Sequence, residues 1–168
     1  SYKYFNKVVN LKKFTNRRIG YWQTREISAE FLIYLKNYYG YKTQEGILIH
    51  IRGTDFLQSE DQIKRHQAFY LTNLKRAQSE AKKIHITTDD LNFAVAIIGS
   101  AGIDQEKVTY LQTFNECLGF NEVVSSESTY STWAALISGS KLIFPEKTTS
   151  VLMQNKSIQN LVNKNEVS

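Results

Sequence analysis

Between Ser28 and Gly40 the apolar residues Phe31, Leu32, Leu35 and Tyr39 recur at helical spacing. Serine favours a helix start and glycine a helix end, so a helix is predicted over residues 29–39. From Gly46 the period changes. Residues 47–51 are a short β-branched, apolar run, read as a buried strand. A polar stretch follows, then a helix over residues 67–82. Further strands are predicted over 84–88, 108–111, 123–125 and 142–144, with helices over 91–98, 114–118 and 129–137. Asp89 or Asp90 caps the helix at 91, and Gly99 marks its end. Strands alternating with helices mean α/β, with a mostly parallel sheet and right-handed crossovers. Ligands of such sheets sit beyond the carboxyl ends of the strands. The informative residues are therefore those just after each strand.

Length and charge narrow the picture. The chain has 168 residues, enough for one domain of ordinary size. Its uncharged stretches, 91–103 and 128–140, are shorter than the ~18 apolar residues of a membrane span. The first residues are basic and aromatic without an apolar run, so no signal peptide is expected. The expected location is the cytoplasm, at most peripheral to the inner membrane. Residues 1–45 carry nine Lys or Arg against three acids, and eleven of the twenty-one aromatic residues. They read as a basic, aromatic connecting segment with its helix, and residues 46–168 as the ligand-binding domain. Such a segment meets a polyanion or packs on another domain; the absence of a nucleic-acid docking motif favours packing. Cys117 is the only cysteine, which excludes an internal disulfide. His50, His66 and His85 are widely spaced and Asp89-Asp90 is not a spaced pair, so neither a metal nor a cofactor is expected.

Three segments carry candidate chemistry. After the first strand, His50 and Arg52 share one side of the strand end. Arg52 offers a planar fork for two phosphate oxygens, and Gly53 allows close backbone approach to a ligand. Asp55 can hold the guanidinium or cap the loop; the alternative is a surface Arg–Asp pair at a turn. After the second strand, Asp89 or Asp90 could accept the paired N1–H and amino donors of guanine. The alternative is a helix cap worth about 1 kcal/mol. After the fourth strand, six Ser or Thr hydroxyls fall within residues 125–132, including Ser128, Thr129 and Ser131. A helix start gathers free N–H groups that favour an anion, so this is a candidate diphosphate seat facing Arg52. An ordinary Ser/Thr cap accounts for one or two of those hydroxyls. Neither GxGxxG nor GxxxxGK[ST] occurs, which disfavours generic NAD or ATP binding.

These residues resemble a known family. His50-Ile51-Arg52-Gly53-Thr54-Asp55 is similar to the H-x-R-R-x-D motif of fucosyltransferases, most closely the α-1,2-fucosyltransferases of glycosyltransferase family eleven. Thr87-Thr88-Asp89-Asp90 resembles their [ST]-D-D segment, and Ser128-Thr129-Tyr130-Ser131-Thr132-Trp133-Ala134-Ala135 resembles their N-S-T-F-S-W-W-x-A. Lys141-Leu142-Ile143-Phe144-Pro145 is similar to K-x-V-x-P, and Gly20-Tyr21-Trp22-Gln23 to G-Y-[FW]-Q. The resemblance spans roughly residues 20–147. It implies a Rossmann-like half of a GT-B type glycosyltransferase that takes fucose from GDP-fucose to a glycan hydroxyl, with inversion and without an obligatory metal. Arg52 would grip the β-phosphate, His50 with Asp89 or Asp90 would hold guanine, and Ser128, Thr129 and Ser131 would line the diphosphate. The base for the acceptor hydroxyl would come from Asp55, Glu60, Asp61 or Glu127. The sequence departs from the motifs at Gly53 (second Arg), Glu127 (Asn) and Thr132 (first Trp), and the first two changes make the phosphate site less positive. The family's amino-terminal acceptor half, with its G-G-L-G-N-Q motif, has no counterpart in these residues, so activity is expected to need such a partner domain. Two alternatives are a non-catalytic GDP-sugar-binding or regulatory module of the same fold, and a polyanion binder using residues 1–45.

Overall fold

The computed structural model describes residues 27–53, 59–126, 128–145 and 155–163. Helix α1 (Ala29–Tyr39) leads into strand β1 (Gln44–Ile51), helix α2 (Glu60–Ser79) and strand β2 (Ile84–Thr88). Helix α3 (Leu91–Ser100), strand β3 (Val108–Tyr110), strand β4 (Phe120–Ser125) and helix α4 (Thr129–Ser138) follow. Strand β5 (Lys141–Ile143) and helix α5 (Lys156–Asn163) complete the described chain. Single turns of 3₁₀ helix at Gln105–Lys107 and Phe114–Cys117 precede β3 and β4.

The five strands form one parallel sheet in the order β3-β2-β1-β4-β5. This is the α/β, Rossmann-like arrangement that alternating strands and helices predict. Both faces are covered. Leu48, Val123 and Leu142 point to the face packed by α1, α4 and α5. Ile47, Ile49, Ile51, Ile86 and Val124 point to the face packed by α2 and α3. A sheet buried on both sides favours near-continuous apolar strands, which is why the run at 47–51 stands out in the sequence. No helix among the described residues is long and apolar enough to cross a membrane.

Local chemistry explains where elements begin and end. Ser28 caps α1 by accepting the Phe31 N–H at 3.2 Å, and Gly40 closes it in the left-handed conformation at φ 55°. Helix α1 then packs Leu32, Leu35 and Tyr39 onto the sheet core. Strand β1 starts at Gln44, three residues before the apolar run, because Gln44 N–H donates to Gly119 O at 2.8 Å. Gly46 sits at an irregularity in the β1–β4 register with φ +99°, and a Cβ there would lie 2.1 Å from the Lys83 carbonyl oxygen. Helix α2 begins at Glu60, seven residues ahead of the sequence expectation. Ser59 caps it by accepting the Gln62 N–H, and Glu60 and Asp61 suit the positive end of the dipole. Its first turns are polar, so apolar spacing gives no sign of them. Helix α5 escapes the sequence reading altogether. Asn155 supplies its cap through the Ser157 N–H, while buried Ile158 anchors it in the core.

Candidate functional site

In an open doubly wound sheet the loops diverge where successive connections leave for opposite faces. Here that point lies between β1 and β4, because β2 and β3 continue on one side and β5 on the other. The segments after β1, β2 and β4 meet at this edge.

Arg52 and Asp89 form its charged centre. Arg52 Nε lies 3.3 Å from Asp89 Oδ2, and Gly53 N–H donates to Asp89 Oδ1 at 2.8 Å. Both charged side chains are partly open to solvent, at 30% and 24%. Asp89 thus pairs with the guanidinium on its Nε side and secures the next backbone amide. Asp90 caps α3 by accepting the Phe93 N–H at 3.1 Å, and its backbone is held by Thr88 Oγ1, which also donates to Ile51 O. Gly53 packs directly on Asp90: a Cβ at position 53 would come within 2.5 Å of the Asp90 Cβ. Gly53 is therefore the residue that lets the β1 loop lie against the start of α3.

His50 lies beneath this surface. Its strand register places it between Thr87 and Ser125, and it is 1% exposed. Neither ring nitrogen has a hydrogen-bond partner among the described residues. Burial holds its pKa down at about 4; the Asp89 carboxylate pulls the other way and the Arg52 cation reinforces the drop. His50 is neutral at pH 7 and has no surface of its own to offer a base.

The hydroxyl-rich segment divides in two. Ser131 Oγ donates to Ser125 Oγ at 2.8 Å, and Thr132 Oγ1 donates to Ser128 O at 2.7 Å. Ser125, Ser131 and Thr132 are all fully buried. These hydroxyls fasten α4 to the end of β4. Ser128 stands at the helix cap position without capping; its hydroxyl is buried and has no partner among the described residues. Thr129 is exposed in the first turn. Of this segment, the Ser128 hydroxyl at the helix start lies outside that internal set.

One group at this edge went unnoticed in the sequence. Tyr70, on the buried stripe of α2, reaches the sheet edge and is fully buried. Its hydroxyl donates to His50 O at 2.8 Å, accepts the Arg52 N–H at 3.0 Å, and lies 2.5 Å from Ser126 Oγ. A phenol has one proton. With that proton on the His50 carbonyl, Ser126 is the donor in the third bond. Burial raises the Tyr70 pKa to about 12, so the group stays a phenol. The available signal was a tyrosine in register with Leu74 and Ala77, since a buried tyrosine hydroxyl needs partners.

Leu91, Tyr110 and Tyr130 stand exposed at the same edge, with Tyr130 edge-on to Phe114 at 5.1 Å. Glu60 and Asp61 are exposed in the first turn of α2. Asp55, Thr54, Glu127 and residues 20–23 lie outside the described residues. Among the described residues, no three His, Cys, Asp or Glu side chains gather as a metal site. At the opposite edge an open concavity of about 740 Å³ is lined by Gln78, Lys82, Lys83, His85, Asp104 and Lys107, far from Arg52 along the strands. No family model, curated protein or solved structure matches the chain.

Proposed function

We propose that this chain is the donor-binding domain of an inverting, metal-independent fucosyltransferase that uses GDP-fucose and completes its active site with an amino-terminal acceptor domain. One observation carries the reading: Arg52, paired with Asp89, stands at the divergence of the sheet within a segment that resembles the fucosyltransferase H-x-R-R-x-D motif. An arginine at the end of a central strand carries a planar fork of donors whose geometry matches phosphate oxygens. In the reaction, a glycan hydroxyl attacks the fucosyl C1 from the face opposite GDP, the C1–O bond to the β-phosphate breaks, and Arg52 stabilises the charge that develops on the departing diphosphate. A base takes the hydroxyl proton; Asp55, Glu60, Asp61 and Glu127 are the candidates. The start of α4, with Ser128 and Thr129, adds N–H and hydroxyl donors for the diphosphate. Asp90, beside Gly53, and Asp89 are the acids for guanine; His50, buried beneath them, makes no contact with the base. The protein would work in the cytoplasm.

A second reading, a non-catalytic GDP-sugar-binding module, draws on Gly53. That position has no room for the second motif arginine while Asp90 keeps its place, so the phosphate site has one cation fewer than the motif provides. Calorimetric titration with GDP, GDP-fucose, GDP-mannose and UDP, each with and without Mg²⁺, tests the donor site. Binding of guanine diphosphates without Mg²⁺, and no binding of UDP, is expected. Equal binding of UDP, or none of any nucleotide, would remove the reading. Fucose transfer on adding an acceptor domain separates the enzyme from the module.

A further inference from the structure

We infer that Tyr70 is a positioning residue for the anion site: its hydroxyl holds the Arg52 backbone and the post-β4 loop in one fixed relation. The inference rests on the donor-site reading and deepens it. Arg52 follows the last residue of β1, where ladder hydrogen bonds end, so another group must secure its backbone. The Tyr70 hydroxyl does so by accepting the Arg52 N–H while donating to His50 O, two residues earlier in the strand. The same oxygen accepts from Ser126, which leads through residue 127 to Ser128 at the start of α4. One buried oxygen therefore ties together the two loops that flank the divergence of the sheet. Asp89 pairs with the guanidinium from the side, and Tyr70 sets the Cα from which it extends. A bidentate grip on a diphosphate tolerates little misplacement of that Cα, whereas a nucleoside contact from Asp90, fixed at the start of α3 by Thr88 and the Phe93 N–H, does not extend from it.

The test is Tyr70→Phe, which keeps the ring in the core and removes only the oxygen. Two measurements are made on the full chain. Amide hydrogen exchange by NMR, without ligand, reports the Arg52 N–H. Titration with GDP and with guanosine reports affinity for the diphosphate separately from affinity for the nucleoside. The expected result is faster exchange at Arg52 and about a tenfold fall in the GDP-to-guanosine affinity ratio, with guanosine binding unchanged. A merely structural loss would weaken both ligands alike and leave the ratio where it was. Ser126→Ala, which removes the donor to the same oxygen, should shift both readouts the same way by a smaller factor. It decides the question should Tyr70→Phe fail to fold. An unchanged ratio with intact GDP binding overturns the inference alone. A wild-type chain that binds neither GDP nor any other nucleoside diphosphate overturns the donor-site reading and this inference with it.

Discussion

Glu122 and His50, deeply buried ionisable side chains at the two edges of the sheet, are treated differently. At the amino edge, Glu122 of β4 is 8% exposed and fully occupied: Arg76 of α2 donates to one oxygen, and Lys82 donates to the other at 2.7 Å. Glu80 adds a second carboxylate, 2.7 Å from Lys82. At the carboxyl edge, His50 and Ser128 are as deeply buried, yet their side-chain polar atoms have no partner among the described residues. A satisfied cluster spends its hydrogen-bonding capacity on the fold. An unsatisfied one lowers stability, and such groups gather where a protein binds or reacts. Both edges hold an arginine paired with a carboxylate, so the pair by itself does not mark a site. What distinguishes Arg52 is its position at the divergence of the sheet, since among the described residues an unpartnered nitrogen also occurs at the amino edge, His85 Nε2.

The sharpest way to break this contrast is Arg52→Ala. The variant should lose at least a hundredfold in GDP affinity by calorimetry, about 3 kcal/mol, while its melting temperature changes little. Unchanged affinity would show that the carboxyl edge is as structural as the amino one. A second test uses pH. His50 has a folded pKa near 4 against an ordinary value of 6.5, so between these the unfolded chain binds the proton more readily. Its contribution is complete above about pH 6.5 and is lost progressively as the pH falls toward 4. It amounts to about 3 kcal/mol. His66 and His85 are also lowered by burial and act in the same direction, so the readout is a difference. Urea denaturation of the wild type and of His50→Leu should give stabilities that diverge between pH 4.5 and 7. Parallel curves would mean that His50 already has a partner.

What the sequence made legible follows from the same physics. Strands buried on both faces are largely apolar; residues 47–51 show it with His50 as the one exception, whereas 84–88 carry His85, Thr87 and Thr88 and show it less. Helix α2 was found seven residues late because only its Tyr70, Leu74 and Ala77 stretch is buried in the core, and its cap, Ser59, precedes residues of no apolar spacing. Helix α5 has only two core contacts among its described side chains, Ile158 and Val162, too few to set a period. The convergence of Arg52 and Asp89 on one edge follows from parallel topology, which sends every post-strand loop to the same side. How hydroxyls pair does not follow from order along the chain. Six of them suggested one anion seat, but Ser125, Ser131 and Thr132 are occupied with one another and with the Ser128 carbonyl. Tyr70 was hidden for the same reason, since its role depends on two loops brought together from 18 and 56 residues away.

Glu122→Ala sharpens the contrast from the amino edge. Removing a buried carboxylate leaves Arg76 and Lys82 without their shared acceptor, at a cost of roughly 2 kcal/mol given that both cations are partly solvated. Burial works against the Glu122 charge, but the hydrogen bonds from Arg76 and Lys82 prevail, so its pKa lies below the ordinary 4.5. Its contribution is present above that value and is lost as the pH falls below it. The variant should therefore unfold at lower urea concentration at pH 7, with the gap to wild type narrowing in strong acid and GDP affinity unaltered. A change in nucleotide affinity would mean that the two edges are coupled through β4.

The smallest effect separates the two uses of Asp90. As a cap for α3 it contributes about 1 kcal/mol, which Asp90→Ala should lose. Asparagine caps about as well as aspartate, so Asp90→Asn should keep that stability. Reading guanine is a different demand. Two N–H donors side by side need two acceptor oxygens, and an amide offers one oxygen and an NH₂ that meets the guanine donors head-on. If Asp90 serves both ends, Asp90→Asn will unfold with the wild type and yet lose its preference for GDP over other diphosphates. If it only caps, the preference will survive in Asp90→Asn. The acid that reads the base must then be Asp89, whose carboxylate already holds Arg52 and Gly53, so that base recognition and phosphate grip would share one side chain.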